Sequence, residues 1–217
     1  GLPPHLRFYL GTIDAKTVKG PYLQGWKDDA HQTRVSEHSY YCSNFRFKKG
    51  LVTPKDDKQH ALHVAENIWL DKNFKQEIQK QIASCELLGK RYIYSDLSFV
   101  VLQHIVEAIT KLPIDAYLTK EFYTPMGLQR TMYLPLTRYS KSEVMPTAQN
   151  DFLRRQNLCG YVHDEIAACL GGVSGNAGLF STTEEVAKLF QLLLNGGVWN
   201  GKRLLKESTC RLFITEK

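Results

Sequence analysis

In Tyr94-Ser95-Asp96-Leu97-Ser98-Phe99-Val100-Val101-Leu102-Gln103-His104-Ile105-Val106-Glu107-Ala108-Ile109-Thr110, a short polar lead gives way to a strongly apolar run. Ser95 or Asp96 can cap a helix here, because a short oxygen-bearing side chain accepts from the free amides of a first helical turn. Leu97, Val101, Ile105 and Ala108 then fall on one side, and Val100 and Ile109 widen that side beyond a narrow stripe. The pattern predicts a helix over Leu97 to Thr110 that is buried on more than one face. Tyr94 sits at the helix start, where amide dipoles favour negative charge. That field, with any neighbouring ammonium, would lower the phenol from its reference of about 10 and suit it to proton transfer. Ser95 reads more plainly as the cap than as a nucleophile, since no local residue supplies its base.

Upstream, Phe74, Ile78 and Ile82 recur every fourth residue and predict a helix from Asn73 to Ser84, after which Gly89 and Lys90 break the pattern. Residues 62–70 read as either a short strand or a helical turn. Downstream, Pro113 suits the first turn of a helix running toward Phe122, with Pro125 and Gly127 as its stop. Residues 133–158 look like a surface loop, and Arg154-Arg155 lies on no clear amphipathic face. Ser181-Thr182-Thr183-Glu184 fits a capping box, with Ser181 accepting and Glu184 reaching back. Val186, Leu189, Phe190 and Leu193 follow as an apolar stripe ending at Asn195-Gly196-Gly197. Asn200-Gly201 marks a hairpin turn, and Lys206 to Phe213 a short helix. Residues 1–50 keep neither helical nor strand period, and are expected to be an irregular connecting region.

The 217 residues carry 43% hydrophobic and 23% charged residues, an ordinary globular composition that excludes collagen, a coiled coil and general disorder. No apolar run approaches the roughly 18 residues that would cross a bilayer. The start, Gly1-Leu2-Pro3-Pro4-His5, has neither a methionine nor a signal-peptide pattern, and reads as a processed or cut end. The net charge of +6 favours solubility but names no ligand. Phe45, Arg46, Phe47, Lys48 and Lys49 form a basic, aromatic turn, yet no nucleic-acid module follows, so no nucleic-acid partner is expected. Cys42, Cys85, Cys159, Cys169 and Cys210 form no CxxC pair, which argues against a metal site and leaves one disulfide or none. The adjacent carboxylates Asp28-Asp29, Asp56-Asp57 and Glu184-Glu185 suggest solvated turns or helix starts rather than a glycosidase pair. Glycoside hydrolysis needs carboxyl groups held about 5 to 9.5 Å apart across a substrate.

A second chemical element is Gly160-Tyr161-Val162-His163-Asp164, followed by Leu170-Gly171-Gly172-Val173-Ser174-Gly175-Asn176-Ala177-Gly178-Leu179-Phe180-Ser181-Thr182. Its glycines permit tight turns or a wall that approaches a cavity closely. It is neither a phosphate-binding Walker loop nor a dinucleotide fingerprint. His163 and Asp164 are either an acid/base pair or ordinary loop hydrogen-bonding groups, since neighbours in sequence need not face each other.

Tyr94-Ser95-Asp96-Leu97-Ser98-Phe99, Phe122-Tyr123-Thr124-Pro125-Met126-Gly127-Leu128 and Ala177-Gly178-Leu179-Phe180-Ser181-Thr182 together resemble the serine beta-lactamase and penicillin-binding-protein-like hydrolases related to class C enzymes. More narrowly, Gly160 to Thr182 resembles the beta-lactamase-like domain that follows a glycoside hydrolase family 3 beta-N-acetylhexosaminidase domain in some Bacteroidetes proteins. The resemblance implies an α/β lobe against a helical lobe, and for this chain a mostly α portion, the helical lobe, with few short strands in residues 51–217. It implies a serine and lysine in Ser-x-x-Lys, a tyrosine in Tyr-x-Asn or Tyr-x-Ser, and a Lys/His-Thr/Ser-Gly strand. Tyr94 matches the tyrosine, and Asp96 stands where the family often has Asn, an acceptor in place of a possible donor. Asp96 would orient a polar partner, and His163, Asp164, Gly175 and Asn176 would line one wall of the cleft.

No Ser-x-x-Lys and no Lys-Thr-Gly or His-Thr-Gly occurs among the 217 residues. The chain is therefore expected to be a fragment, inactive alone, of an enzyme acting on a small acyl substrate or cell-wall fragment. The other reading is a noncatalytic cell-wall or glycan-binding module attached to a glycosidase. The resemblance also implies a periplasmic or other extracytoplasmic setting and no metal or organic cofactor. Oligomeric state is left open.

Overall fold

The structure, a computed structural model, describes residues 1–90 and 92–215. The fold is mixed α/β, somewhat richer in helix than in strand, and its sheets are small, open and antiparallel. That agrees with the architecture the resemblance implied. The chain divides into two compact units, one of residues 1–104 and 134–178, the other of residues 105–133 and 179–217.

In the first unit, residues 1–50 are less irregular than their sequence suggested. They contain β1 (Ile13–Asp14), β2 (Leu23–Gln24), β3 (Thr33–Ser36), β4 (Ser39–Tyr41) and β5 (Arg46–Phe47), paired as β1 with β5 and as the sheet β2-β4-β3. Phe8, Tyr9, Ile13 and Phe45 from this segment join the main core. Very short strands leave no period to read, so core membership here depends on aromatic contacts such as the stacking of Tyr41 on Phe152. The open choice over residues 62–70 resolves as a hairpin. β7 (His60–Ala65) and β8 (Ile68–Asp71) turn through Asn67 at φ 57°, and β6 (Val52–Thr53) pairs on the other side of β8. Then α1 (Phe74–Ser84) buries Phe74, Ile78 and Ile82, as its period predicted.

The helix α2 (Asp96–Thr110) begins where expected but is covered on less of its surface than predicted. Leu97 and Val100 are buried, whereas Phe99, Leu102, Ile105 and Ile109 are exposed, Ile109 at 75%. Periodicity reports which positions are apolar; neighbours decide which are covered. The segment after residue 133 also differs from a surface loop. It carries β9 (Pro146–Ala148) and β10 (Leu158–Cys159) and buries Asp151, Phe152, Leu153 and Arg154. Arg154 Nη2 lies 2.8 Å from Asp151 Oδ2 with both side chains fully buried, so pairing is what lets two charges enter the core. The short helix α5 (Glu165–Cys169) follows two others in the second unit, α3 (Ile114–Leu118) and α4 (Thr124–Met126).

In the second unit Pro125 lies within α4, and Gly127, left-handed at φ 69°, ends it. α6 (Thr183–Leu194) is capped one residue later than the capping-box reading had it: Thr182 Oγ1 accepts from Glu185 N at 3.4 Å. Glu185 does not reach back to the cap. Its buried carboxylate accepts from Gln129 N at 2.7 Å, Arg130 N at 3.0 Å and Thr131 Oγ1 at 2.6 Å, while Glu184 is exposed and pairs with Lys188. The predicted stripe is also displaced: Leu192 is buried and Leu189 partly so, whereas Val186 and Phe190 are exposed. β11 (Val198–Trp199) and β12 (Lys202–Arg203) form the hairpin expected at Asn200-Gly201, both residues having positive φ, and α7 (Glu207–Ile214) completes the described chain. Among the described residues no single helix is long and apolar enough to cross a membrane. All five cysteines are free thiols.

Candidate active site

Tyr94, Ser95 and Asp96 stand at the start of α2, where Ser95 turns to backbone and Asp96 lies near the Tyr94 phenol. Ser95 is buried, and its hydroxyl donates to the Pro3 carbonyl at 2.6 Å while accepting from Ser98 N at 3.4 Å. Asp96 N donates to the Pro4 carbonyl at 3.0 Å. Ser95 is thus a capping group spent on backbone, and is not presented as a nucleophile. Tyr94 is 62% exposed with its ring 6.1 Å from that of Phe99. The Asp96 carboxylate beside it pushes the phenol above its ordinary value, and Asp164 acts in the same direction. The helix-field expectation of a lowered value is therefore corrected: a nearby full negative charge outweighs partial dipole charges. His5 Nδ1 lies 3.8 Å from Asp96 Oδ2.

The glycine-rich loop is fastened to α2 and to the start of α5. Asp164 caps α5 by accepting from Ala167 N at 2.7 Å, and the same Oδ1 accepts from Asn176 Nδ2 at 3.0 Å. Ser174 Oγ donates to Asn176 Oδ1 at 2.6 Å. Gly175 N donates to Gln103 Oε1 at 2.9 Å. A Cβ on Gly175 would stand 2.2 Å from the Phe99 carbonyl oxygen, so this position requires glycine for close approach to a helix backbone. Tyr94, Asp96, Asp164, Gly175 and Asn176 are accordingly brought together in the first unit.

His163 is not part of that group. Its side chain is exposed, its carbonyl accepts from Arg154 Nη2 at 2.6 Å, and Asp164 is turned instead to α5 and Asn176. The acid/base pair is thus not formed. Ligand atoms of Asp151, His163 and Glu165 do lie within 4.8 Å of one another. Asp151 is committed to Arg154, however, and a cation there would meet the guanidinium, so the trio does not make a metal centre. Sequence reading missed Gln103 and Ser174. The signal for Gln103 was its spacing: Phe99 and Gln103 follow Asp96 by three and seven residues, one face of a helix.

Comparison with known proteins shows the family: the family model "Beta-lactamase" matches residues 46–216, and the chain belongs to that family. Particular relatives follow from curated sequences. The chain is 30% identical over 225 aligned residues to proteins named "Putative D-alanyl-D-alanine carboxypeptidase" from Salmonella heidelberg, Salmonella typhimurium and Salmonella schwarzengrund. The alignments cover 94% of this chain and 50% of each relative, so the chain spans about half the length of the curated relatives it matches.

Proposed function

We propose that this chain supplies the tyrosine-bearing wall of a serine acyl-hydrolase cleft of the penicillin-binding-protein type, with residues 51–217 as part of that enzyme domain. The observation that carries this reading is an exposed Tyr94 next to the Asp96 carboxylate at the start of α2, beside a loop fastened by Asp164, Asn176 and Gln103. In the parent enzyme Tyr94 moves the proton of the attacking or leaving group, and Asp96 orients its hydroxyl. Asp164, Gly175 and Asn176 shape the wall, and His163 takes no part in it. The acyl group comes from a D-alanyl peptide, the class in the relatives' printed name, or from an ester or beta-lactam, as the wider family resemblance suggests. Because acyl transfer needs an activated nucleophile, and no Ser-x-x-Lys is present, the 217 residues alone are inactive. The parent acts in an extracytoplasmic compartment, beside a family 3 glycoside hydrolase domain.

Two measurements test this. The 217-residue chain is expected to leave a chromogenic ester and a beta-lactam unhydrolysed; turnover at an enzymatic rate overturns the inactive assignment. The full parent is expected to form a serine adduct with an activated acyl probe, and Tyr94→Phe to slow its formation by about 10²- to 10⁴-fold. A parent that forms no adduct is the glycan-binding module instead.

A further inference from the structure

Two histidines of the first unit, away from the tyrosine wall, are held in the same unusual way. His31 Nδ1 lies 2.8 Å from Asp28 Oδ1 and its Nε2 lies 2.6 Å from the Pro21 carbonyl oxygen. His60 Nδ1 lies 2.9 Å from Asp57 Oδ2 and its Nε2 lies 2.9 Å from the Gly50 carbonyl oxygen. In each case the carboxylate comes three residues before the histidine and the carbonyl ten residues before. Each carboxylate also ties its own turn. Asp28 Oδ1 accepts from Ala30 N and His31 N at 2.9 and 2.8 Å, and Asp57 Oδ1 from Gln59 N and His60 N at 2.7 and 2.6 Å. His31 is 1% exposed and His60 9%, so neither ring can exchange its partners freely for water.

An ionised carboxylate and a carbonyl oxygen only accept hydrogen bonds, whereas a neutral imidazole has one N–H. A neutral ring in either place would set one nitrogen lone pair against an oxygen lone pair. Only the imidazolium satisfies both ends. We propose that His31 and His60 are twin imidazolium staples, which lock the loops 21–31 and 50–60 and release them as the pH rises above the ordinary imidazole range.

The charged groups acting on the rings agree with this. His31 faces Asp28; His60 faces Asp57 and, more distantly, Asp71 of β8. The Pro21 and Gly50 carbonyls, followed by these carboxylates, hold both imidazoles above their usual value against the opposing effect of burial. Hydrogen bonds from Gln24 and His31 lower Asp28 to about 2, and those from His60 and Gln59 lower Asp57 to about 2. A raised histidine stabilises fully below its unfolded value of about 6.5 and stops doing so as pH rises through its folded value. The depressed aspartates stabilise above about 3.9 and cease to as pH falls through their folded values. The staples are thus tightest between about pH 4 and about pH 6.5 and weaken toward alkaline pH. Gly50 and Asp71 also line a surface cleft of about 600 Å³ with Lys48, Leu51 and Phe74, so releasing the second staple loosens one wall of that cleft.

Ring ¹⁵N NMR of the intact 217-residue chain tests the proposal. At about pH 7 both nitrogens of His31 and of His60 are expected to be protonated, and both rings to lose their proton above the free-imidazole range. Amide protection factors in loops 21–31 and 50–60 are expected to fall over the same step. His60→Gln, which can donate at one end only, is expected to abolish the step in loop 50–60 and leave that in loop 21–31; His31→Gln does the reverse. A neutral single tautomer at either ring at about pH 7, or loop protection constant from about pH 6 to about pH 9, overturns the proposal. If a variant fails to fold, the unmodified chain's ring spectrum decides alone.

Discussion

Replacing Gly175 by alanine places one methyl group where the wall meets helix α2. The new Cβ would stand 2.2 Å from Phe99 O, 2.9 Å from Phe99 C and 3.2 Å from Gln103 Cβ. Carbon and carbonyl oxygen rest at about 3.3 to 3.6 Å, so the loop must retreat by about 1 Å or more. The obstacle is helix backbone, which cannot rotate away as a side chain tip can. That retreat stretches the 2.9 Å Gly175 N to Gln103 bond beyond useful length. The lost hydrogen bond costs about 0.5–1.5 kcal/mol and the overpacking about 1–3 kcal/mol, about 1.5–4.5 kcal/mol together. Backbone conformation adds nothing, because Gly175 is absent from the positive-φ positions that hold its neighbours Gly171, Gly172 and Gly178. Urea unfolding measures the total, and hydrogen exchange over residues 99–103 and 172–178 localises it. Gln103→Ala, which removes the hydrogen bond without the clash, is expected to cost about 0.5–1.5 kcal/mol. A Gly175→Ala chain within about 0.5 kcal/mol of the original, with unchanged exchange in both segments, refutes the close-approach argument.

Two further outcomes concern other carboxylates. Glu185→Ala removes the carboxylate that accepts from the part-buried amides of Gln129 and Arg130 and from the Thr131 hydroxyl, which keeps only Ser181 Oγ at 2.7 Å, and is expected to cost about 1–3 kcal/mol in urea unfolding. Burial opposes ionisation of Glu185, but the donors from Thr131, Gln129 and Arg130 outweigh it and lower its pKa. Its contribution is therefore present above the unfolded value of about 4.3 and lost as pH falls through the folded value; a stability profile flat across that range contradicts this assignment. Asp96→Asn removes the charge that raises Tyr94, and ¹³C-tyrosine NMR is expected to show Tyr94 ionising at lower pH. No movement of that titration would mean that Asp96 does not govern the phenol.

Much of what sequence determined is local. The starts and ends of α1 and α2, the turn at Asn200-Gly201 and the position of Tyr94 at a helix start were all legible. A helix or hairpin is written in residues a few positions apart, and its hydrogen bonds close over the same short distances. The lack of Ser-x-x-Lys was equally plain. Tertiary structure decided what those residues face. Ser95 is buried because Pro3 lies beside it, and Glu185 is buried because residues 129–131 supply its donors across 54 to 56 positions of chain. Asp28 and Asp57 looked like solvated acidic pairs until the fold set His31 and His60 between them and distant carbonyls. The direction of the Tyr94 shift also depended on this geometry, since the helix start was visible in sequence but the orientation of Asp96 toward the hydroxyl was not. Sequence spacing specifies which groups a residue can reach within a turn or two of chain. Burial and charge are set by neighbours that only the folded backbone brings near, and these determine what each group does.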